Sequence, residues 1–140
     1  SSRVYEPILK RTGHETLGIA RRGRRVATVT LDDLINGSTW DMVSVDAEGW
    51  DGEILQGGRT SVERRRVRVL EFEYSGRWKT RLSTTIQWLG NAGYRCFWTG
   101  NSGRLAELAP GCREVDVRRW SNVACAHERR LIQTLRRHAV

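Results

Sequence analysis

The chain predicts an α/β fold, a sheet of largely parallel strands assembled from βαβ units, and three observations carry that prediction. Short β-branched or apolar runs alternate with stretches of helical periodicity along most of the sequence. The two best strand candidates, residues 41–46 and 67–74, carry carboxylates at or near their carboxyl ends, and no internal repeat or low-complexity tract interrupts the alternation. A length of 140 residues suits one domain, and a domain of that size buries roughly 70% of its unfolded surface.

Residues 26–30 (Val-Ala-Thr-Val-Thr) are β-branched and short, which reads as a strand. Thr30 then precedes Leu31-Asp32-Asp33-Leu34-Ile35, where a hydroxyl followed by carboxylates suits the positive end of a short helix, and Asn36-Gly37 closes it. Residues 41–46 (Asp-Met-Val-Ser-Val-Asp) make the next strand. A helix begins at Asp51, turns Ile54 and Leu55 to the core and breaks at Gly57-Gly58. Residues 67–74 (Val-Arg-Val-Leu-Glu-Phe-Glu-Tyr) are the strongest strand of the chain. Ser83 or Thr84 caps a helix carrying Ile86, Trp88 and Leu89, and Asn91-Ala92-Gly93 ends it. Residues 94–98 form a strand of aromatic character, after which Gly100-Asn101-Ser102-Gly103 suits a simple turn. Residues 122–126 are a last short strand, followed by a basic amphipathic helix over 128–138 with Leu131, Ile132 and Leu135 on one face.

The net charge of +8 raises a nucleic-acid reading. The basic residues fall in short runs, such as Arg64-Arg65-Arg66, Arg118-Arg119 and Arg136-Arg137, each where a helix end or loop is expected. Arginines so placed are usually solvated, which disfavours a nucleic-acid partner. No apolar run reaches the ~18 residues of a membrane span, and the first residues do not read as a signal peptide. Cytoplasmic is therefore the default compartment, and the absent initiator methionine reads as a processed or excised fragment. Cys96, Cys112 and Cys125 form no C-x-x-C pair, and His14, His127 and His138 complete no zinc pattern, so no metal site is expected. Buried free thiols are the expected state of the cysteines, with a Cys112–Cys125 disulfide as the alternative in a secretory protein. Trp78, Trp88, Trp98 and Trp120 read as core or sheet-covering residues before they read as a sugar-stacking platform. His127 reads as a surface or capping histidine before a catalytic base.

In sheets of this kind ligands bind outside the carboxyl ends of the strands, where Asp46 with Glu48, and Glu71 with Glu73, are expected. Asp46-Ala47-Glu48-Gly49 lies between an apolar strand and a helix, and the glycine permits a positive φ. Like charges held close raise the pKa of one of them, so one can act as a base near neutral pH. The alternative is a capping arrangement in which Glu48 or Asp51 serves the next helix.

Val29-Thr30-Leu31-Asp32-Asp33-Leu34, then Val43-Ser44-Val45-Asp46-Ala47-Glu48-Gly49, then Ile54-Leu55-Gln56-Gly57-Gly58, resemble the FkbM methyltransferase family at its usual spacing. Val69-Leu70-Glu71-Phe72-Glu73-Tyr74 looks like the family's next strand, and the tail through Trp120-Ser121-Asn122-Val123-Ala124-Cys125 looks like a plant- or alga-like branch. The resemblance implies a class I, Rossmann-like methyltransferase fold using S-adenosylmethionine to methylate a hydroxyl of a sugar, other glycan or small molecule. Asp46 and Glu48 would then stand beside the transferred methyl and Glu73 would line the acceptor pocket, these three being the catalytic candidates. Asp32 and Asp46 are the candidates for contacting the cofactor.

The family's glycine-rich loop and first strands are missing from the pattern, so the fold is expected to be incomplete. Val4-Tyr5-Glu6-Pro7 is similar to the family's ribose-binding strand end but lies close to the Leu-Asp-Asp-Leu element. The expected organisation is a tail or remnant of the cofactor-binding half over 1–24, the C-terminal part of the methyltransferase domain over 25–127, and a basic helix over 128–140. An incomplete sheet leaves a central edge unpaired, which favours self-association. The competing readings are a catalytically inactive methyltransferase-like fragment serving as a binding module, and a basic nucleic-acid-binding protein.

Overall fold

The computed structural model describes residues 27–100, 104–112 and 120–139. Helix α1 (Leu31–Ile35) opens with a complete capping box: the Thr30 hydroxyl accepts the Asp33 N–H while the Asp33 carboxylate accepts the Thr30 N–H. That arrangement replaces the strand expected over 26–30. Residues 27–30 pair with no neighbour, Thr30 being drawn into the cap, and residue 26 lies outside the described residues. Asn36 ends the helix in the left-handed region, as anticipated.

Strand β1 (Trp40–Val45) leads into helix α2 (Asp51–Gly57), and helix α3 (Arg59–Glu63) follows the break at Gly58. A side chain at Gly58 would meet Leu31 Cδ2 at 2.5 Å, so the glycine lets α1 lie against the α2–α3 junction. Strand β2 (Val67–Ser75) is the longest of the sheet. Helix α4 (Leu82–Asn91) starts before Ser83 and Thr84, which do not cap it; burial of Leu82 draws the first turn back to Arg81. Strand β3 (Arg95–Thr99) turns into strand β4 (Leu105–Leu108), an element too short and too weakly apolar to stand out in the sequence. Strand β5 (Trp120–Ala126) and helix α5 (Arg129–Arg137) complete the chain.

The sheet order is β1-β2-β5-β3-β4. It is mixed, which corrects the expectation of a largely parallel sheet. Among the described strands β1 and β2 pair in parallel, while β5 runs antiparallel between β2 and β3, and β3–β4 is an antiparallel hairpin. The long return from β3 allows β5 to enter the sheet from the opposite direction, a choice that local periodicity does not encode.

Register places Val43, Val45, Leu70, Phe72, Val123, Cys125 and Cys96 on one face. That face is buried under Leu31, Ile35, Leu55, Val62, Leu82, Ile86 and Leu89 of the helices. Cys96 and Cys125 stand directly opposite each other on β3 and β5 with Cα atoms 4.0 Å apart, and they form a disulfide. Both readings of the cysteines are thereby corrected, since Cys112 is the free, half-buried thiol. Strand register, invisible in residue spacing, decides the pairing. Tyr94 closes the core at the other end, donating its hydroxyl to the Val67 carbonyl at 2.5 Å, and burial pushes its phenol up to about 12.

Candidate functional site at the carboxyl ends of the parallel pair

The pair Val45–Phe72 is the last of the β1–β2 ladder, so Asp46 leaves β1 where Glu73 continues β2. From there Ala47 to Trp50 form a tight turn, the Trp50 N–H donating to the Ala47 carbonyl at 3.1 Å. Both central residues have positive φ, 53° at Glu48 and 101° at Gly49. Glycine supplies that conformation freely, and the turn leaves no room for a side chain at Gly49, where a Cβ would press on Arg77 Cβ at 3.1 Å. Glu48 has no such freedom. A left-handed residue with a side chain costs about 1–2 kcal/mol, and strain of this kind gathers at functional sites. The carboxylates of Asp46 and Glu48 are exposed at this turn.

Asp51 is completely buried. One carboxylate oxygen accepts the Gly49 N–H at 3.3 Å and the other accepts the Glu73 N–H at 3.2 Å. A single side chain thus ties the turn after β1 to the end of β2. Trp50, not Asp51 or Glu48, is the N-cap of α2, and it contributes no side-chain capping bond. The helix-capping alternative for these carboxylates is not what the fold adopts.

Glu73 itself accepts the indole N–H of Trp120 at 2.5 Å. Two residues earlier on the same face, Glu71 accepts the Ser44 hydroxyl at 3.1 Å. Trp120 is 55% exposed. Trp78, in contrast, is buried against Phe72 and Tyr74, with Gly52 packed on its ring. Trp88 and Trp98 pack half-buried on the core. Core packing is therefore the role of three of the four tryptophans considered for a sugar platform. Around the turn, Lys79 lies 3.6 Å from Glu53 and over the Trp50 ring at 5.6 Å.

Asp32 is not part of this cluster. Its carboxylate accepts the N–H groups of Ser61 (2.7 Å) and Thr60 (3.1 Å), the open first turn of α3. Burial opposes its charge, but the hydrogen bonds from Ser61 and Thr60 prevail and hold it below the ordinary aspartate value. Ser61 in turn accepts the Arg66 N–H, and Arg66 accepts the N–H of Trp40, the first residue of β1. This chain of bonds leads to the amino end of the strand whose carboxyl end precedes Asp46. Asp51 and Trp120 are the site residues that sequence reasoning missed. Asp51 had a signal, a carboxylate at the start of a helix, whereas the partner of Trp120 is set by strand pairing alone.

The model of the Methyltransferase FkbM domain family matches residues 3–96. The chain belongs to this family. The FkbM match takes in Val4–Pro7, which lie outside the described residues, together with Asp32, Asp46, Glu48, Asp51 and Glu73. It begins upstream of residue 25, where the resemblance starts, and ends at Cys96, so β4, β5 and α5 lie beyond it. Comparison with curated proteins and with solved structures returned no match. Among the described residues, no helix is long and apolar enough to cross a membrane.

Proposed function

We propose that the protein acts in methyl transfer from S-adenosylmethionine to a hydroxyl of a sugar or small molecule, with the acceptor held at the carboxyl ends of β1 and β2. The observation that carries this reading is the convergence of Asp46, Glu48 and Glu73 at the ends of the parallel pair in a chain of the FkbM family. The donor would supply a methyl group on a positively charged sulfur, and exposed carboxylates at a strand end suit a cation.

A hydroxyl must lose its proton as it attacks, and a carboxylate within hydrogen-bond reach is a suitable base. Glu73 is the base in this reading, with the Trp120 indole N–H fixing its orientation. Asp46 and Glu48 face the donor, and Asp51 keeps the two strand ends at a constant spacing. Alignment of the acceptor oxygen with the methyl carbon and departing sulfur is then a property of rigid strand ends. Self-association belongs to the same proposal: among the described residues the outer edge of β1 has no partner strand, and Trp40 and Met42 beside it are exposed.

Calorimetry of the full chain with S-adenosylhomocysteine, paired with transfer of labelled methyl to a panel of sugars, tests this function. Binding is expected, and Glu73→Gln should retain it while methyl transfer falls by roughly 10²–10⁴-fold, the usual range for a general base. A folded chain that binds neither the donor nor its product would refute the proposal.

A further inference from the structure

A second site lies at the opposite end of the sheet. Register aligns Val69, Ala126 and Arg95 across β2, β5 and β3, near the amino ends of β2 and β3. Glu73, Asn122 and Thr99 align toward the carboxyl ends. At about 3.3 Å per residue, four residues put roughly 13 Å of strand between the two rows. Beside the first row is a groove of about 390 Å³ lined by Gly93, Arg95, His127, Arg129, Gln133 and Arg136.

The charges around this groove are unevenly satisfied. Arg136 makes a two-pronged ion pair with Glu107, and Arg68 binds both Glu128 and Asp41. Those pairs engage the neighbouring carboxylates. Arg95 donates to the Tyr94 carbonyl at 3.0 Å. Among the described residues, neither Arg95 nor Arg129 has a carboxylate within ion-pair distance.

His127 lines the same groove, its ring edge-on to Tyr94 at 5.2 Å. Its Nε2 is shielded from solvent and, among the described residues, has no hydrogen-bond partner. A buried polar atom left unpaired is unfavourable. Among the described residues, two guanidinium groups without an ion-pair partner therefore share one concave surface with the His127 ring. Guanidinium forks match the oxygens of phosphate in geometry as well as charge.

We propose that this groove binds a small phosphate-bearing molecule, with Arg95 and Arg129 clamping the phosphate and the His127 ring forming part of the wall. Arg136, held by Glu107, anchors α5 and leaves the clamp to the other two. The groove stands apart from the carboxylate site and does not depend on the methyl-transfer reading.

Burial holds the His127 imidazole below the ordinary histidine value; the charges of Arg65 and Arg68 add to this, while Glu128 and a hydrogen bond to the Arg65 backbone oppose it. The charged and titratable groups facing it are Glu128, Arg65, Arg68, Tyr94, Arg95 and Arg129.

Calorimetric titration of the full chain with inorganic pyrophosphate at fixed ionic strength tests the site, using thermal melts to confirm that each variant folds. Saturable binding is expected, weakened at least tenfold by Arg95→Gln with Arg129→Gln and unchanged by Arg104→Gln, an exposed arginine elsewhere. Three results would overturn the proposal: no saturable binding, an equal loss in Arg104→Gln, or capture of phosphatidic acid vesicles or single-stranded RNA without pyrophosphate binding. The last would assign the charge to an extended surface.

Discussion

At the carboxyl ends of β1 and β2 stand Asp46, Glu48, Asp51 and Glu73, while the amino ends of β2 and β3 gather Arg65, Arg68, Arg95 and Arg129. The first group is organised by backbone donors and one indole, with Asp51 fixing the loop and Trp120 holding Glu73. The second is organised by ion pairs that use Asp41, Glu107 and Glu128, and among the described residues Arg95 and Arg129 have no carboxylate within ion-pair distance. Net charge alone hides this polarity. A value of +8 describes a chain whose proposed reaction site is acidic and which, among the described residues, gathers Arg65, Arg68, Arg95 and Arg129 toward the far end of the strands.

The contrast depends on strands held in fixed register, and the largest expected effect comes from loosening them. Replacing Cys96 and Cys125 together with alanine opens a link across 29 residues. Loss of a loop closure of that size is expected to cost about 3–4 kcal/mol, read as a lower urea midpoint. An unchanged midpoint would show that β5 keeps its place without the bridge.

A smaller effect, confined to the acidic end, is expected from Asp51→Ala. It strands the Gly49 and Glu73 N–H groups, and hydrogen bonds to a charged group contribute about 1.5–3 kcal/mol. Stability should fall by about 2–3 kcal/mol, and hydrogen exchange should quicken at Gly49 and Glu73 while the amide of Tyr94, at the basic end, is unaffected. Faster exchange at both ends would mean that the two regions are not independent.

The smallest effect has the opposite sign. Glu48→Gly removes the left-handed strain and should raise stability by about 1 kcal/mol while abolishing methyl transfer. A variant less stable than the parent would show that the Glu48 side chain contributes contacts worth more than its strain.

Much of the scaffold was legible before the structure. The core runs of β1 and β2 announce themselves by Val43, Val45, Leu70 and Phe72, and the capping of α1 by Thr30 follows from local chemistry. Strand ends were legible too, and the register sets Asp46 and Glu73 next to the last pair of the parallel ladder. What was hidden is relational. The antiparallel entry of β5, the Cys96–Cys125 link and the Trp120–Glu73 contact depend on which strands become neighbours, a decision made by the whole chain. Asp51 was visible as a carboxylate at a helix start, but its second bond reaches 22 residues onward to Glu73.

The position of β5 has a consequence for how the molecule is made. The strand at the middle of the sheet is supplied by residues 120–126, near the end of the chain and beyond residue 96, where the family match stops. During synthesis β2 and β3 emerge first and cannot be joined until their shared neighbour leaves the ribosome. Nascent chains would carry two open strand edges through that interval, the stage at which sticking to other chains is most probable. Any shortened version cut at residue 96 would retain the carboxylates of the proposed reaction site and lose the strand that closes the sheet behind them.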